Sequence, residues 1–486
     1  VSRVVLGLDQ GTSSTRCIAL DERREVVGFG SAPVACSFPG PGLVEQDPDA
    51  IATSAVEAIA GALREASAPG VVALGIANQT ETFVVCDRTT GRPIHPAIVW
   101  QDRRTAAQCR ELDAAGHGEL VRRRTGLELD PTFPATKLSW LLDHVAGARQ
   151  RAGSGELVSH DVAGWLIRSL AGNEVCDACN AGRTLLCAAG AAEWDAELLE
   201  LFGVPAAVLP PIVDTDAVAS VGVAASPVSG VPIAAALGDQ QASLFGLGCH
   251  ERGQAKVTLG TGAFLLVQAG DEPGAPPGGV LGSCAWRLAG RASFAYEGFI
   301  PAAGAAIDWF TQVGLLPPAA ELDGLLAEAG PEDGSIACVP ALQGLGTPSW
   351  DPDIRAGLIG MTRASTRAQV ARAVVNGVVH QIADALEAIA LALPLTMVIV
   401  DGGLARSDWV LQRIADLARV EVRRAAQAEA TAIGAALVAG VAVGVWETEE
   451  LGAAPTDRTS YPALSDAERD GLRERWAAAV GVVGRW

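Results

Sequence analysis

Lysine is almost missing from this chain: Lys137 and Lys256 are the only two among 486 residues, beside 34 arginines. The skew is what a coding bias would produce, and no function is read from it. Cations as a class are outnumbered by 56 Asp and Glu, which leaves a formal net charge of −20 and a pI near 4.7. Such a surface repels nucleic acid and anionic membranes, so neither is expected as a partner. An anionic ligand would have to be held by local backbone donors and a few cations. Several signatures are also absent. There is no G-x-x-x-x-G-K-[ST], no G-x-G-x-x-G opening a helix after the first strand, no G-x-S-x-G and no H-E-x-x-H, which excludes the sites those patterns build. The six histidines are scattered. Ten cysteines occur at irregular spacing, and Cys176 and Cys179 form a lone C-x-x-C. A zinc site needs about four ligands, so free buried thiols in a reducing cytosol are the better account. The Val1–Gly7 segment leads straight into a strand pattern, so no signal peptide is expected. The apolar stretch Ala432–Trp446 is short for a membrane span and reads as a buried helix. A cytoplasmic protein is the expectation.

What is present suits a large α/β interior. Hydrophobic residues make up 49% and charged residues 19% of the chain, enough for a core and against disorder. The length suits two domains of about 200–250 residues each, expected at 1–246 and 247–486. The first 30 residues read strand (4–8), small-residue turn (11–14), strand (16–20), with a third strand at 25–30. A helix is expected over 51–67 and a buried strand over 71–77. The second half opens in the same way: strand 254–259, turn Gly260-Thr261-Gly262, strand 264–267. A long helix is expected over 366–393, then a strand over 397–400 that runs into Asp401-Gly402-Gly403. The repeated opening suggests two similar lobes facing one another across a cleft.

Three small-residue turns, each after a buried strand, could carry chemistry. In Asp9-Gln10-Gly11-Thr12-Ser13-Ser14-Thr15-Arg16 the backbone can approach phosphate oxygens, and Asp9 could reach a phosphate-bound Mg²⁺. Arg16 could contact a phosphate. A plain β-hairpin turn is the competing reading. Gly260-Thr261-Gly262 and Asp401-Gly402-Gly403 are weak alone, yet the three together suit a split nucleotide site. Asp239, after the strand-like 233–237, is a candidate general base; it also reads as the N-cap of a helix starting near Gln241. Glu81 and Trp100 suit a polyol, with a carboxylate for its hydroxyls and an indole for its C–H face. Core packing is the alternative for Trp100.

Taken together the motifs resemble the FGGY carbohydrate kinases, most nearly the glycerol kinases among them, over about residues 3–450. The likeness is carried by Gly7-Leu8-Asp9-Gln10-Gly11-Thr12, Gly75-Ile76-Ala77-Asn78-Gln79, Ile98-Val99-Trp100-Gln101-Asp102-Arg103-Arg104-Thr105, Ala135-Thr136-Lys137-Leu138, Gly238-Asp239-Gln240-Gln241-Ala242, Leu259-Gly260-Thr261-Gly262, Gly344-Leu345-Gly346-Thr347-Pro348-Ser349-Trp350-Asp351 and Asp401-Gly402-Gly403. The resemblance implies two actin-like, ribonuclease H-like ATPase lobes around a central cleft. It also implies ATP-dependent, Mg²⁺-assisted phosphorylation of a small polyol or sugar. Asp239 would be the base, and Asp9 and Asp239 would lie around the magnesium. Thr12, Ser13, Arg16, Gly260 and Thr261 would touch phosphates. Gly304, Asp308, Gly403 and Ser407 would line the nucleotide pocket, Asp308 standing where a Gln is usual. Thr80, Glu81, Trp100, Thr132, Asp239, Gln240 and Phe264 would surround the acceptor. Family members often dimerise, so a homodimer is an expectation of the same kind.

The departures carry information as well. Where glycerol kinases have Arg before the glutamate this chain has Thr80, and where they have Tyr after the Asp-Pro pair it has Thr132. Two threonines imply a larger, less charged pocket and an acceptor of four or five carbons, such as a tetritol, over glycerol itself. The segment Leu404–Asp408 is closer to the pentulose kinases, which makes a xylulose- or ribulose-type kinase the alternative. A non-catalytic sugar or ATP sensor is the reading from another class. The segment Val218–Pro232 lacks the loop that binds fructose bisphosphate in some glycerol kinases, so no such inhibition is expected.

Overall fold

A computed structural model describes residues 3–67, 70–217, 228–272, 274–330 and 336–485. The expectation about fructose bisphosphate therefore falls largely outside the described residues, because 218–227 are not among them.

The first lobe is built on β1 (Arg3–Gln10), β2 (Ser14–Asp21), β3 (Val26–Pro33), β4 (Gly70–Asn78) and β5 (Ile233–Gly238), in the order β5-β4-β1-β2-β3. β1 pairs antiparallel with β2 and parallel with β4, and β5 extends the parallel side. β1 and β5 are buried almost without interruption because helices cover both faces of the sheet. Helix α1 (Pro48–Glu65) packs on β2 and β3, and a helix near the C-terminus covers the other face. The sequence expectations of strands at 25–30 and 71–77 and a helix at 51–67 correspond to β3, β4 and α1, each displaced at its ends by a few residues. Asp47 explains the earlier start of α1. It caps the helix by accepting from Asp49 N–H, and Pro48 sits in the first turn.

The second lobe repeats this plan. Its strands are β6 (Gln254–Leu259), β7 (Ala263–Gly270), β8 (Leu281–Leu288), β9 (Arg291–Ile300), β10 (Met397–Gly402), β11 (Val422–Ala425) and β12 (Thr456–Ser460), in the order β8-β9-β7-β6-β10-β11-β12. Without the outermost pair, β8 and β12, the order and every pairing direction match those of the first sheet. The sequence-level echo is thus a real topological repeat.

Helix α2 (Asp239–Gly246) follows β5, and α3 (Arg367–Ala390) is the long helix of the second lobe. A reciprocal capping box between Thr366 and Gln369 starts α3. Helix α4 (Ala430–Ala442) lies late in the chain yet packs on β1, β4, β5 and α2 of the first lobe. Small residues permit this. A Cβ on Gly7 would lie 1.9 Å from Ala432 O, one on Gly75 2.0 Å from Ala435 O, and one on Gly434 1.8 Å from Ala242 O. The backbones touch where any side chain would prevent contact.

A smaller five-stranded sheet branches from the first lobe, in the order Cys36–Ser37, Glu45–Gln46, Ala97–Ile98, Phe83–Asp87, Leu157–Asp161. It carries Glu81 and Trp100 at its margins.

Candidate active site

Register places the two key aspartates. Asp9 stands opposite Ala77 of β4, and Ala77 stands opposite Leu237 of β5, two residues before Asp239. Both carboxylates therefore emerge at the same end of the sheet with one strand between them, about 10 Å from strand to strand. Ligands in open α/β sheets bind at the carboxyl ends of the strands. In the second lobe Thr258 pairs with Asp401 and Leu259 with Gly402. The Gly260–Gly262 turn and Gly403 thus lie side by side at the matching end of that sheet.

Electrostatic coupling ties the two ends into one neighbourhood. Burial raises the Asp9 carboxyl to about 7, assisted by the charges of Asp239 and Glu429 and opposed by Arg16. Burial likewise raises Asp239 to about 6; Lys256 opposes the shift and Glu81 adds to it. Asp239 begins α2 rather than capping it, with Gly238 as N-cap, and its Oδ1 accepts from Gln240 N–H at 2.7 Å. The expectation of Asp239 as N-cap is corrected: the helix starts two residues before Gln241, at Asp239 itself.

Lys256 joins the lobes. Its fully buried ammonium donates to Gln240 Oε1 at 2.5 Å and to Thr258 Oγ1 at 3.0 Å. Burial lowers its pKa, while Asp401, Asp239 and Glu297 hold it up. Asp401 Oδ1 is itself buried without a hydrogen-bond partner among the described residues.

The turn at 11–14 and Trp100 are also linked. Gly11 N–H donates to Ser14 O at 3.0 Å and closes the turn. Trp100 Nε1 donates to Thr12 Oγ1 at 2.9 Å, so the indole braces the turn. Ser13 is exposed at the turn's tip. Arg16 pairs with Glu429 at 3.1 Å, across the lobes, and so carries a carboxylate partner where a phosphate contact was expected.

Glu81 is buried, with φ +64°, a conformation a non-glycine residue adopts only when its surroundings impose it. Thr80 Oγ1 donates to its Oε2 at 2.5 Å and Arg183 Nε to its Oε1 at 2.6 Å. Thr132 donates to Asp130 Oδ1 at 2.6 Å, and its carbonyl accepts from the buried Lys137 at 2.8 Å. Phe264 packs on Phe299 with ring centroids 4.9 Å apart.

On the nucleotide side, Gly304 N–H donates to Gly260 O at 3.0 Å, and Ala303 and Ala305 both donate to Thr261 O. A Cβ on Gly304 would lie 2.4 Å from Gly260 O. Asp308 is exposed one turn further along Gly304–Gln312. Ser407 differs from expectation: its hydroxyl caps the helix Asp408–Ala418 and donates to Asp323.

The profile of the FGGY carbohydrate kinase N-terminal domain matches residues 4–246, and that of the C-terminal domain residues 255–443. The chain belongs to the FGGY family of carbohydrate kinases. It is 43% identical to the glycerol kinase of Alkalilimnicola ehrlichii, covering 100% of this chain and 99% of that one, and 43% identical to the glycerol kinase of Thermus brockianus over 100% and 99%. The crystal structure of Plasmodium falciparum glycerol kinase with ADP superposes with a TM-score of 0.93 at 27% identity, covering 99% and 98% of the two chains. This kinase accordingly transfers a phosphoryl group from ATP to a hydroxyl of a small polyol or sugar. No helix among its described residues is long and apolar enough to cross a membrane.

Sequence reasoning missed Arg183, Lys256, Glu297 and Glu429. Lys256 had a signal: both lysines of this arginine-rich kinase are fully buried. The other three form ion pairs with partners more than 100 residues away.

Proposed function

We propose that the acceptor is a polyol of the glycerol type, and that the pocket admits one of four or five carbons. The carrying observation is Asp239, a half-buried carboxylate that desolvation raises to about 6 beside Glu81 and Lys256. A base poised near the working pH suits removal of a hydroxyl proton. As the acceptor oxygen bonds to the γ-phosphorus, Asp239 takes its proton, the bond to the bridging oxygen breaks, and ADP departs. Such a reaction is driven by alignment and charge stabilisation. Glu81 orients acceptor hydroxyls, Gln240 and Phe264 complete the site, and Trp100 supplies the apolar wall. Thr12 and Ser13 face Gly260 and Thr261 around the phosphates, with Gly304, Asp308 and Gly403 toward the nucleoside.

Among the described residues no three His, Cys, Asp or Glu side chains gather to hold an ion by themselves. One or two carboxylates together with substrate phosphates are the usual donors for Mg²⁺, and Asp9 and Asp239 fit that role. When bound, the ion offsets phosphate charge. Division into lobes at 246/247 accords with the start of the second sheet at Gln254. Use of ATP accords with a cytoplasmic site of action.

The size of the acceptor rests on Thr80 and Thr132. Both hydroxyls donate to neighbouring carboxylates and neither brings charge. Phosphorylation rates on glycerol, erythritol, threitol, pentitols and pentuloses test the reading. The highest kcat/KM is expected on a tetritol or pentitol; a clear preference for glycerol would overturn the size argument and leave the reaction intact.

A further inference from the structure

Arg183 lies at the C-terminal end of the short helix Ala178–Gly182, in the first lobe, and is buried. Its Nε donates to Glu81 Oε1 at 2.6 Å, and its Nη1 donates to both oxygens of Glu297 at 2.7 Å. Glu297 belongs to β9 of the second lobe, where Ser283 donates to it at 2.7 Å; Gln241 of α2 donates to it from the first lobe at 3.0 Å. The guanidinium also lies 5.5 Å from the ring centroid of Phe133, next to Thr132. A single cation is thus shared between the acceptor carboxylate on one lobe and a fixed carboxylate on the other. The flanking Glu81 and Glu297 hold its pKa above the usual arginine value despite burial.

We propose that Arg183 is a positioning residue for the acceptor, and that the Glu81–Arg183–Glu297 ion triad makes acceptor recognition depend on the registration of the second lobe. The proposal rests on the reading of Glu81 as an acceptor-binding group. Residue 80 is a threonine, so it brings no cation to Glu81; the planar fork of Arg183 does so from another element, with geometry a lysine cannot reproduce. Glu81 sits in a left-handed backbone conformation, and the paired guanidinium fixes where its remaining lone pairs point. Glu297 in turn fixes the guanidinium. Neutralising Glu297 therefore loosens Glu81 from across the lobe boundary without removing a group proposed to touch the acceptor.

Steady-state kinetics with glycerol and erythritol as probes test this in the full-length enzyme, using Glu297→Gln, Arg183→Lys, Arg183→Met and Glu81→Gln. Glu297→Gln should raise the acceptor KM about tenfold, the loss expected for one charge-assisted hydrogen bond, and leave the KM for ATP within about twofold. Arg183→Met should raise the acceptor KM further, and Arg183→Lys should recover part of the loss. If Arg183→Met does not fold, Glu297→Gln and Arg183→Lys decide. An unchanged acceptor KM in Glu297→Gln, or equal rises in both KM values, overturns the proposal alone provided Glu81→Gln impairs acceptor binding. An unchanged acceptor KM in Glu81→Gln overturns the acceptor-site reading, and this proposal with it.

Discussion

The indole N–H of Trp100 donates to the hydroxyl of Thr12 across 2.9 Å, although the two residues lie 88 positions apart. In the proposed site one belongs to the acceptor wall and the other to the phosphate turn. Removing the bond should disturb both substrates together. Trp100→Phe and Thr12→Val should each raise both KM values several-fold. The double variant should be little worse than either single one, because one shared bond of about 1 kcal/mol is lost. Additive losses in this cycle would show that the two residues act separately.

Asp239→Asn should lower kcat by about 10²–10⁴, the range for a general base, and keep nucleotide binding measurable by calorimetry. In the parent enzyme kcat/KM should fall as pH drops below about 6, where Asp239 takes up a proton. A flat profile from pH 5 to 8 would remove Asp239 from this role.

Asp9 makes the ligand-free protein sensitive to pH in the opposite sense to a salt-bridged aspartate. Its carboxyl titrates at about 7 when folded and about 3.9 when unfolded. Between those values the folded state binds more protons, so stability is greatest below about pH 4 on this account and declines as pH rises through 7. Asp9→Asn removes the penalty. Its melting temperature at pH 8, without nucleotide or magnesium, should exceed that of the parent by about 2–4 °C. No difference at pH 8 would contradict the burial of the charge.

Lys256→Met should be costly for a different reason. It leaves Asp239 and Asp401 without the cation that offsets them, and breaking a buried charge cluster costs about 3–5 kcal/mol. Chemical denaturation should show that loss. Surviving activity should have its acidic limb displaced to higher pH, since Lys256 holds the Asp239 pKa down.

The contact of α4 with α2 predicts a contrast between two glycines. A methyl on Gly434 would lie 1.8 Å from Ala242 O and 2.6 Å from its carbonyl carbon. Gly434→Ala should cost at least about 2 kcal/mol through overpacking. Gly481, in the helix Asp466–Val483, has nothing within 4 Å of that position, so Gly481→Ala should stabilise by up to about 1 kcal/mol through helix propensity. Thermal melts of both variants check the sign of each effect.

Local pattern determined much of this kinase. Short apolar runs ending in Asp-Gln-Gly-Thr, Gly-Asp-Gln-Gln and Asp-Gly-Gly disclose strands that stop in small-residue turns, because strand burial and glycine's freedom act over a few neighbouring residues. The two-lobe architecture followed from seeing that opening twice. Tertiary structure alone decided which charges meet. Arg183 finds Glu297 114 positions away, Arg16 finds Glu429 413 positions away, and Lys256 reaches Gln240 across the lobe boundary. It also brought Ser407 to Asp323, 84 positions away, and laid α4 on the first sheet. The cause in each case is desolvation. A charge or polar hydrogen taken out of water must find a partner wherever the packed chain presents one, and sequence spacing holds no record of where that is.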